Sequence, residues 1–140
     1  MKTTIIRHGL LSLVLGTTFA STSVFAEQIS GKLNGHDCAH AGKSCPVDRL
    51  DPHIALEREF VLQKSDGEYV FLSNVPRSVK VRHALSDVQV TGKMSDRYHS
   101  VDVDEFRVKS GDGYRTVWSK AQQRAEFDSL YSEGGLPIFN

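Results

Sequence analysis

Short stretches in which apolar and polar residues alternate recur along the chain, and this pattern is typical of half-buried β-strands. The first runs from Gln28 to Leu33 and stops at Asn34-Gly35. Two more β-prone runs, Phe60–Leu62 and Tyr69–Leu72, are joined by Ser65–Gly67, and Asp-Gly between such runs is a strong hairpin signal. The pattern therefore predicts an N-terminal strand followed by a β-hairpin.

The second half of the chain continues the β pattern. Val88–Met94 alternates cleanly and predicts a strand that bends at Gly92, where a glycine allows a bulge. In Ser100–Val108 the apolar positions change from odd to even numbers, so a bulge near Asp104 or the residue after it restores one apolar face. A glycine-rich turn then leads into a further strand, Tyr114–Trp118.

Two helices are expected in the mature chain. The apolar spacing of Val75–Leu85 favours a short helix after Pro76. Ser119 followed by Gln122 is a capping-box pattern, which predicts the start of a C-terminal helix that ends at Gly134-Gly135. That helix carries an apolar stripe, and Trp118 is expected to fix it onto the strands. The stripe consists of Ala121, Ala125, Phe127, Leu130 and Tyr131.

The order strand, long loop, hairpin, short helix and two strands matches the five-stranded Greek-key barrel of an OB-fold. We therefore predict a mainly β fold: an OB-like barrel with a short helix between strands and a C-terminal helix. In this order, and in the strand Val90–Lys93, the chain resembles the small secreted bacterial OB-fold proteins. The resemblance covers Ile29 to Val108, and it assigns no site residues.

The first 26 residues read as a secretory signal. Lys2 and Arg7 provide a positive start, Leu10–Leu15 an apolar centre, and Val24–Ala26 a small-residue exit. The apolar centre is far shorter than the roughly 20 residues that span a bilayer. We expect cleavage after Ala26, no membrane anchor, and export to a bacterial periplasm as one domain of residues 27–140.

Removing the signal changes the charge balance slightly. Without Lys2 and Arg7, 15 lysines and arginines remain against 17 aspartates and glutamates, a formal charge of about −2. This balance gives no indication of nucleic-acid binding. The expected partner is a protein or a small molecule of the periplasm.

Both cysteines and two of the six histidines lie within the ten residues His36–Cys45, in a loop expected to extend to Pro52. In an oxidising compartment two thiols normally form a disulfide, so Cys38 and Cys45 are expected to pair. Closing a loop this short corresponds to roughly 2–3 kcal/mol of stabilisation in the chain-entropy model. Such a disulfide would hold the loop in place.

A metal site is the alternative interpretation of the same residues. If the segment is extended, His36, Cys38 and His40 share one face, and Cys45 returns across Gly42 as a fourth ligand. Two imidazoles and two thiolates suit zinc or copper, although the spacings of common zinc sites are absent. A site made of His36 and His40 alone, with help from His53, would survive disulfide formation.

Two further groups are candidates for ligand binding. A basic run binds an anionic ligand or is merely a solvated face; it consists of Arg77, Lys80, Arg82 and His83. Tyr69 and Phe71 share one face of their strand, where core packing is the expected role and a stacking platform the alternative.

The sequence contains no nucleophile elbow, phosphate loop, H-E-x-x-H or C-x-x-C motif. We therefore expect a non-enzymatic binding or accessory protein without a cofactor, whose stapled loop presents His36, Asp37 and His40. The alternative function is the handling of copper or zinc by the histidine and cysteine cluster.

Overall fold

The structure is a computed structural model that describes residues 26–46, 51, 54 and 56–132. Three sequence-based predictions lie outside these residues. They are the signal segment as far as residue 25, the participation of His53, and the helix end at Gly134-Gly135. The first strand begins at Glu27, directly after the expected cleavage point.

Six strands and three α-helices make up the described part of the chain. A 3-10 turn at Asp96–Tyr98 connects the fourth and fifth strands. The elements, in order, are β1 Glu27–Gly35, α1 His36–His40, β2 Phe60–Gln63, β3 Tyr69–Leu72, α2 Arg77–Arg82, β4 Asp87–Ser95, β5 Ser100–Ser110, β6 Gly113–Ser119 and α3 Lys120–Ser132.

The first five strands close into a barrel. The sheet order is β3-β2-β1-β4-β5-β6, and a parallel pairing of β3 with β5 joins the two ends of the five-stranded part. The short helix α2 lies between β3 and β4 in the chain, and α3 follows the last strand. The predicted mainly β fold, an OB-like barrel with these two helices, is confirmed.

The core follows from the alternation of side chains along each strand. In β4, for example, Val88 and Val90 point inward and are fully buried, while Gln89 between them points to the opposite face and is half-buried. Each such aliphatic side chain contributes roughly 1.5–3 kcal/mol when it is removed from water. The largest fully buried side chains of this core are Leu33, Phe60, Leu62, Leu72, Val88, Val90, Val101, Val103 and Phe106.

The barrel is closed by a short seam. Backbone pairing between β3 and β5 covers two positions, Phe71 with Ser100 and Leu72 with Val101. Beyond these two positions, the Asn74 side chain makes the hydrogen bonds to β5 that a paired strand would otherwise make. Its Nδ2 donates to the Val103 carbonyl at 2.8 Å, and its Oδ1 accepts from the Val103 N–H at 2.7 Å.

Both predicted irregularities of the sheet are present. The register between β4 and β5 shifts between Thr91 and Gly92, where Thr91 faces Glu105 and Gly92 faces Val103. Asp104 is therefore the extra residue of the bulge. A Cβ on Gly92 would lie 2.9 Å from the Cα of Val103, so the absent side chain allows this close approach.

The C-terminal helix begins as predicted, but its apolar stripe is not covered by the described residues. The Ser119 Oγ accepts a hydrogen bond from the Gln122 N–H at 3.2 Å, which caps α3. Phe127 is 52 % exposed and Leu130 74 %. Trp118, the residue expected to attach the helix, is itself buried in the core.

Candidate binding cleft and thiol cluster

The segment expected to be a long loop begins with the one-turn helix α1, which is followed by a tightly held chain. Asn34, fully buried in β1, makes four hydrogen bonds. Its Nδ2 donates to the Lys43 carbonyl and to Gln63 Oε1, both at 2.7 Å. Its Oδ1 accepts from the N–H groups of Gly35 at 3.0 Å and Cys45 at 3.1 Å. Because an asparagine side chain offers two donors and two acceptors, Asn34 is fully used in fixing this segment to β1 and β2.

The two cysteines meet the carboxylate of Glu57. The Cys45 thiol donates to Glu57 Oε1 at 3.7 Å and the Cys38 thiol to the same oxygen at 4.0 Å. Cys45 is buried, whereas Cys38 and Glu57 are half-buried. Glu57 and Cys45 both lie directly against Gly35. A Cβ at Gly35 would lie 2.5 Å from the Glu57 Cδ and 2.8 Å from the Cys45 Sγ. We call Cys38, Cys45 and Glu57 the thiol cluster.

Burial controls the protonation of this cluster. Removal from water raises the pKa of the Cys45 thiol to about 12, and the hydrogen bond with Cys38 and the charge of Glu57 act in the same direction. The Gly35 N–H lowers that pKa but does not compensate. Cys45 is therefore a protonated thiol at neutral pH in this arrangement.

Both cysteines are free thiols in the structure. Their sulfur atoms lie within 4.8 Å of each other but are not at disulfide distance, since a disulfide bond is about 2.05 Å long. The expected bond between Cys38 and Cys45 is thus absent from this structure, although the fold brings the two residues together. Their oxidation in an exported protein stays a prediction.

The four-residue metal set expected from the sequence is not assembled. That expectation required an extended segment, but residues 36–40 form α1. In a helix, residues two apart point in nearly opposite directions, so Cys38 lies on the other side from His36 and His40. Among the described residues, the one group of three potential metal ligands that converges is the thiol cluster.

The two histidines join an aromatic cluster with β3. The His36 ring stacks on Phe71 with centroids 5.3 Å apart, and the His40 Nδ1 lies 3.0 Å from the Tyr69 hydroxyl. Tyr69 and Phe71 meet edge to face at 5.9 Å. The expected role of Tyr69 and Phe71 is core packing, but both are half-buried in the structure. The other two residues of β3 are the ones that pack in the core. We call His36, His40, Tyr69 and Phe71 the ring cluster.

A cleft of about 980 Å³ opens beside the ring cluster. One wall comes from α1 and the turn after it, the floor from β3 and the β2–β3 hairpin, and the other wall from the segment between β4 and β5. His99 in that segment has a left-handed backbone with φ of 46°. Its carbonyl accepts the Phe71 N–H at 2.8 Å, so this strained residue connects the cleft wall to the floor.

The expected basic patch is divided among different environments. Lys80 is buried and forms an ion pair with Glu59, so its ammonium group faces the protein. The Arg77 guanidinium donates to the Glu57 carbonyl at 2.6 Å and lies over the Phe60 ring. Arg82 is exposed. The three cations therefore do not present one common surface to an anion.

Sequence reasoning missed three residues of these sites. The pattern predicts Asn34 only as a strand stop and gives Glu57 no role, because neither residue carries a local motif for its long-range contacts. His99 received no role, since its position in the cleft follows from the closure of the barrel. Only Asn34-Gly35 next to the cysteine segment offered a signal that the backbone is special there.

No family model, curated protein or solved structure matches the chain. Within the part of the chain that the structure describes, no helix has the length and apolar character needed to cross a membrane.

Proposed function

We propose that this chain is a non-enzymatic binding protein of the bacterial periplasm and that its cleft takes an oligosaccharide. The observation that carries the proposal is the pair of aromatic rings, Tyr69 and Phe71, at the floor of a cleft of about 980 Å³ that also has His40 in its wall. This volume is of the size used by small-molecule ligands. The cleft lies on the strand β2–β3 face and its flanking loops, which is the face that OB-folds use for oligonucleotides and oligosaccharides.

The chemistry of the lining suits a sugar. Tyr69 and Phe71 are half-buried, so their rings have contact area left for the apolar face of a pyranose. The exposed side chains of His40 and His99 and the carboxylates of Glu68 and Asp96 provide partners for hydroxyl groups. Stacking combined with several hydrogen bonds is a common way to hold a neutral polar ring.

The charge of the cleft argues against a nucleic acid. Lys64 is the one lysine or arginine among the described residues that line it. Its ammonium is already paired with Glu68 at 2.5 Å and with Asp66 at 3.5 Å. Phosphate backbones bind through several uncommitted lysines and arginines, so the lining favours an uncharged ligand.

The cleft wall formed by α1 is ordered before a ligand arrives. Two hydrogen bonds of Asn34, to the Lys43 carbonyl and from the Cys45 N–H, hold the segment that follows α1, and an ordered wall loses less conformational entropy on binding. A disulfide between Cys38 and Cys45 would restrict the same segment further. Recognition rather than catalysis is the mechanism proposed.

The test is calorimetric titration with neutral oligosaccharides, such as maltohexaose and chitohexaose, beside a single-stranded oligonucleotide of similar length. We expect an oligosaccharide to bind and the oligonucleotide to show no salt-dependent binding. Tyr69→Ala should weaken oligosaccharide binding by about 1–3 kcal/mol, the usual value of a lost stacking contact. Tyr131→Ala, which removes an exposed tyrosine from α3, is the control and should have no effect. Tight oligonucleotide binding that weakens as salt is added would contradict the proposal and identify a nucleic acid as the ligand.

A further inference from the structure

The thiol cluster has nearly the dimensions of a tetrahedral zinc site. With zinc–sulfur bonds of about 2.3 Å and zinc–oxygen bonds of about 2.0–2.2 Å, tetrahedral ligands lie about 3.6 Å apart for sulfur and oxygen and about 3.8 Å apart for two sulfurs. The observed sulfur–oxygen distances to Glu57 are 3.7 Å from Cys45 and 4.0 Å from Cys38. All three ligand atoms lie within 4.8 Å of one another, so small side-chain rotations bring them onto one ion.

The backbone beneath the cluster is held in place. Asn34 Oδ1 binds the Cys45 N–H at 3.1 Å, and the Arg77 guanidinium binds the Glu57 carbonyl at 2.6 Å. Gly35 leaves the space in which Glu57 and Cys45 approach each other. Fixed ligand positions reduce the entropy lost when an ion binds.

The donor set is specific in its chemistry. Cys38, Cys45 and Glu57 all become anions on losing their protons, so a divalent cation offsets two of the three negative charges that would otherwise repel one another. Two sulfurs exclude calcium and magnesium, which take oxygen ligands, and one carboxylate disfavours cuprous copper, which takes soft ligands. Zinc accepts sulfur and oxygen together.

We propose that Cys38, Cys45 and Glu57 bind one zinc ion, with the fourth position open toward solvent at the half-buried side of the cluster. Each thiol that becomes a ligand releases its proton to solvent. This site lies outside the ligand cleft and uses neither histidine of the ring cluster. A disulfide between the cysteines would remove both sulfur ligands, so the zinc-bound and oxidised forms exclude each other.

The test uses the full exported chain, reduced and kept free of oxygen, and titrated with zinc against a chromophoric chelator. We expect one zinc per chain with a dissociation constant below about 1 µM. Cys38→Ser and Glu57→Gln should each weaken binding by at least about tenfold. The matched control is Asp37→Asn, which removes the neighbouring carboxylate that pairs with Arg58 and should leave zinc affinity unchanged.

A second readout does not depend on the stability of the variants. Cobalt bound to the wild-type chain should give the sulfur-to-cobalt charge-transfer absorption of a thiolate site, and bound zinc should protect both thiols from alkylation. Failure of the reduced chain to bind zinc stoichiometrically would overturn the proposal. Unchanged affinity in Glu57→Gln, together with loss in a His36→Gln, His40→Gln double variant, would overturn it too and place the ion with the histidines.

Discussion

Gly35 is the residue on which the thiol cluster depends. A Cβ built there meets the Glu57 carboxyl group at 2.5–2.7 Å and the Cys45 sulfur at 2.8 Å. The end of the Glu57 side chain can rotate away, but Cys45 is buried and packs against the core. A single methyl group at this position therefore cannot be accommodated without moving a core residue.

We expect Gly35→Ala to lower the free energy of unfolding by about 1–3 kcal/mol, the usual cost of overpacking. The control is Gly113→Ala, because a Cβ at Gly113 meets no atom within 4 Å, and its effect should stay within about 0.5 kcal/mol. Urea unfolding of both variants measures the difference. Equal stability of the two variants would mean that the cluster is looser than the distances indicate.

At this scale the sequence predicted residue types better than residue roles. The concentration of Cys38 and Cys45 beside two histidines was apparent, and the fold does bring the cysteines together. Glu57 was not predicted as their partner, because it lies 19 residues from Cys38 along the chain and carries no motif. Asn34 was expected to interrupt a strand, since its four hydrogen bonds depend on the tertiary structure.

Among the elements, the β3–β5 seam is the part of the barrel with the fewest paired residues. Backbone pairing covers two positions, and the side chain of Asn74 extends it by binding both polar groups of the Val103 backbone. Val103 is fully buried, so its N–H and C=O have little access to water if Asn74 is lost. Buried groups without partners are costly.

Asn74→Ala should therefore destabilise the protein by about 1–3 kcal/mol and speed hydrogen exchange at the Val103 amide. Ser73→Ala is the control. The Ser73 hydroxyl and the Ser73 N–H both bind the Val101 carbonyl, at 3.0 Å and 3.1 Å, so that carbonyl keeps a partner when the hydroxyl is removed. Amide exchange followed by NMR compares the two variants, and similar exchange at Val103 in both would contradict the assigned role of Asn74.

Elements with a long periodic pattern were predicted well, and those without one were not. The strands, the hairpin turn and the bulge of the β4–β5 ladder follow from alternation and from the placement of glycine. The five residues of α1 are too few for a helical period to appear, and that helix forms where it packs on β1 and β2. The exposed stripe of α3 shows that periodicity predicts a helix without fixing what covers it.

The stability of the whole molecule should depend on pH through one buried ion pair. Lys80, 4 % exposed, is paired with Glu59 between α2 and the start of β2. Burial alone raises the pKa of Glu59, but the hydrogen bonds from Lys80 and from the Phe60 N–H, with the nearby positive charges, outweigh it. The net effect lowers the pKa of Glu59 below its ordinary value of 4.5.

A lowered carboxyl pKa stabilises the folded state above pH 4.5, and that contribution is lost as the pH falls through the folded-state pKa. At pH 7, Glu59→Gln should cost about 1–3 kcal/mol, less than a fully buried pair because the Glu59 side chain is 38 % exposed. At pH 3 the difference from the wild type should be smaller, because the contribution of the pair is lost as the pH falls toward the lowered pKa of Glu59. Urea unfolding at both pH values measures it, and a pH-independent difference would contradict the pairing.

The charge itself is tested by a second comparison. Lys80→Met replaces the buried ammonium with an apolar side chain of similar length and removes the partner that lowers the pKa of Glu59. In the Lys80→Met background, Glu59→Gln should have little effect at either pH. If Glu59→Gln destabilises the Lys80→Met protein as much as it destabilises the wild type, the cause is the lost hydrogen bond from the Phe60 N–H and not the lost ion pair.

The one-turn helix α1 places two kinds of chemistry on opposite sides of a single rigid unit. Cys38 faces the thiol cluster, while His36 and His40 face the rings of Tyr69 and Phe71. A rotation of this turn that changes the geometry of one set of atoms also changes the other. The oxidation or metal occupancy of the sulfurs and the occupancy of the cleft are consequently expected to be thermodynamically linked, and such linkage is reciprocal: a ligand in the cleft would shift the reactivity of the thiols as much as the thiols shift its affinity.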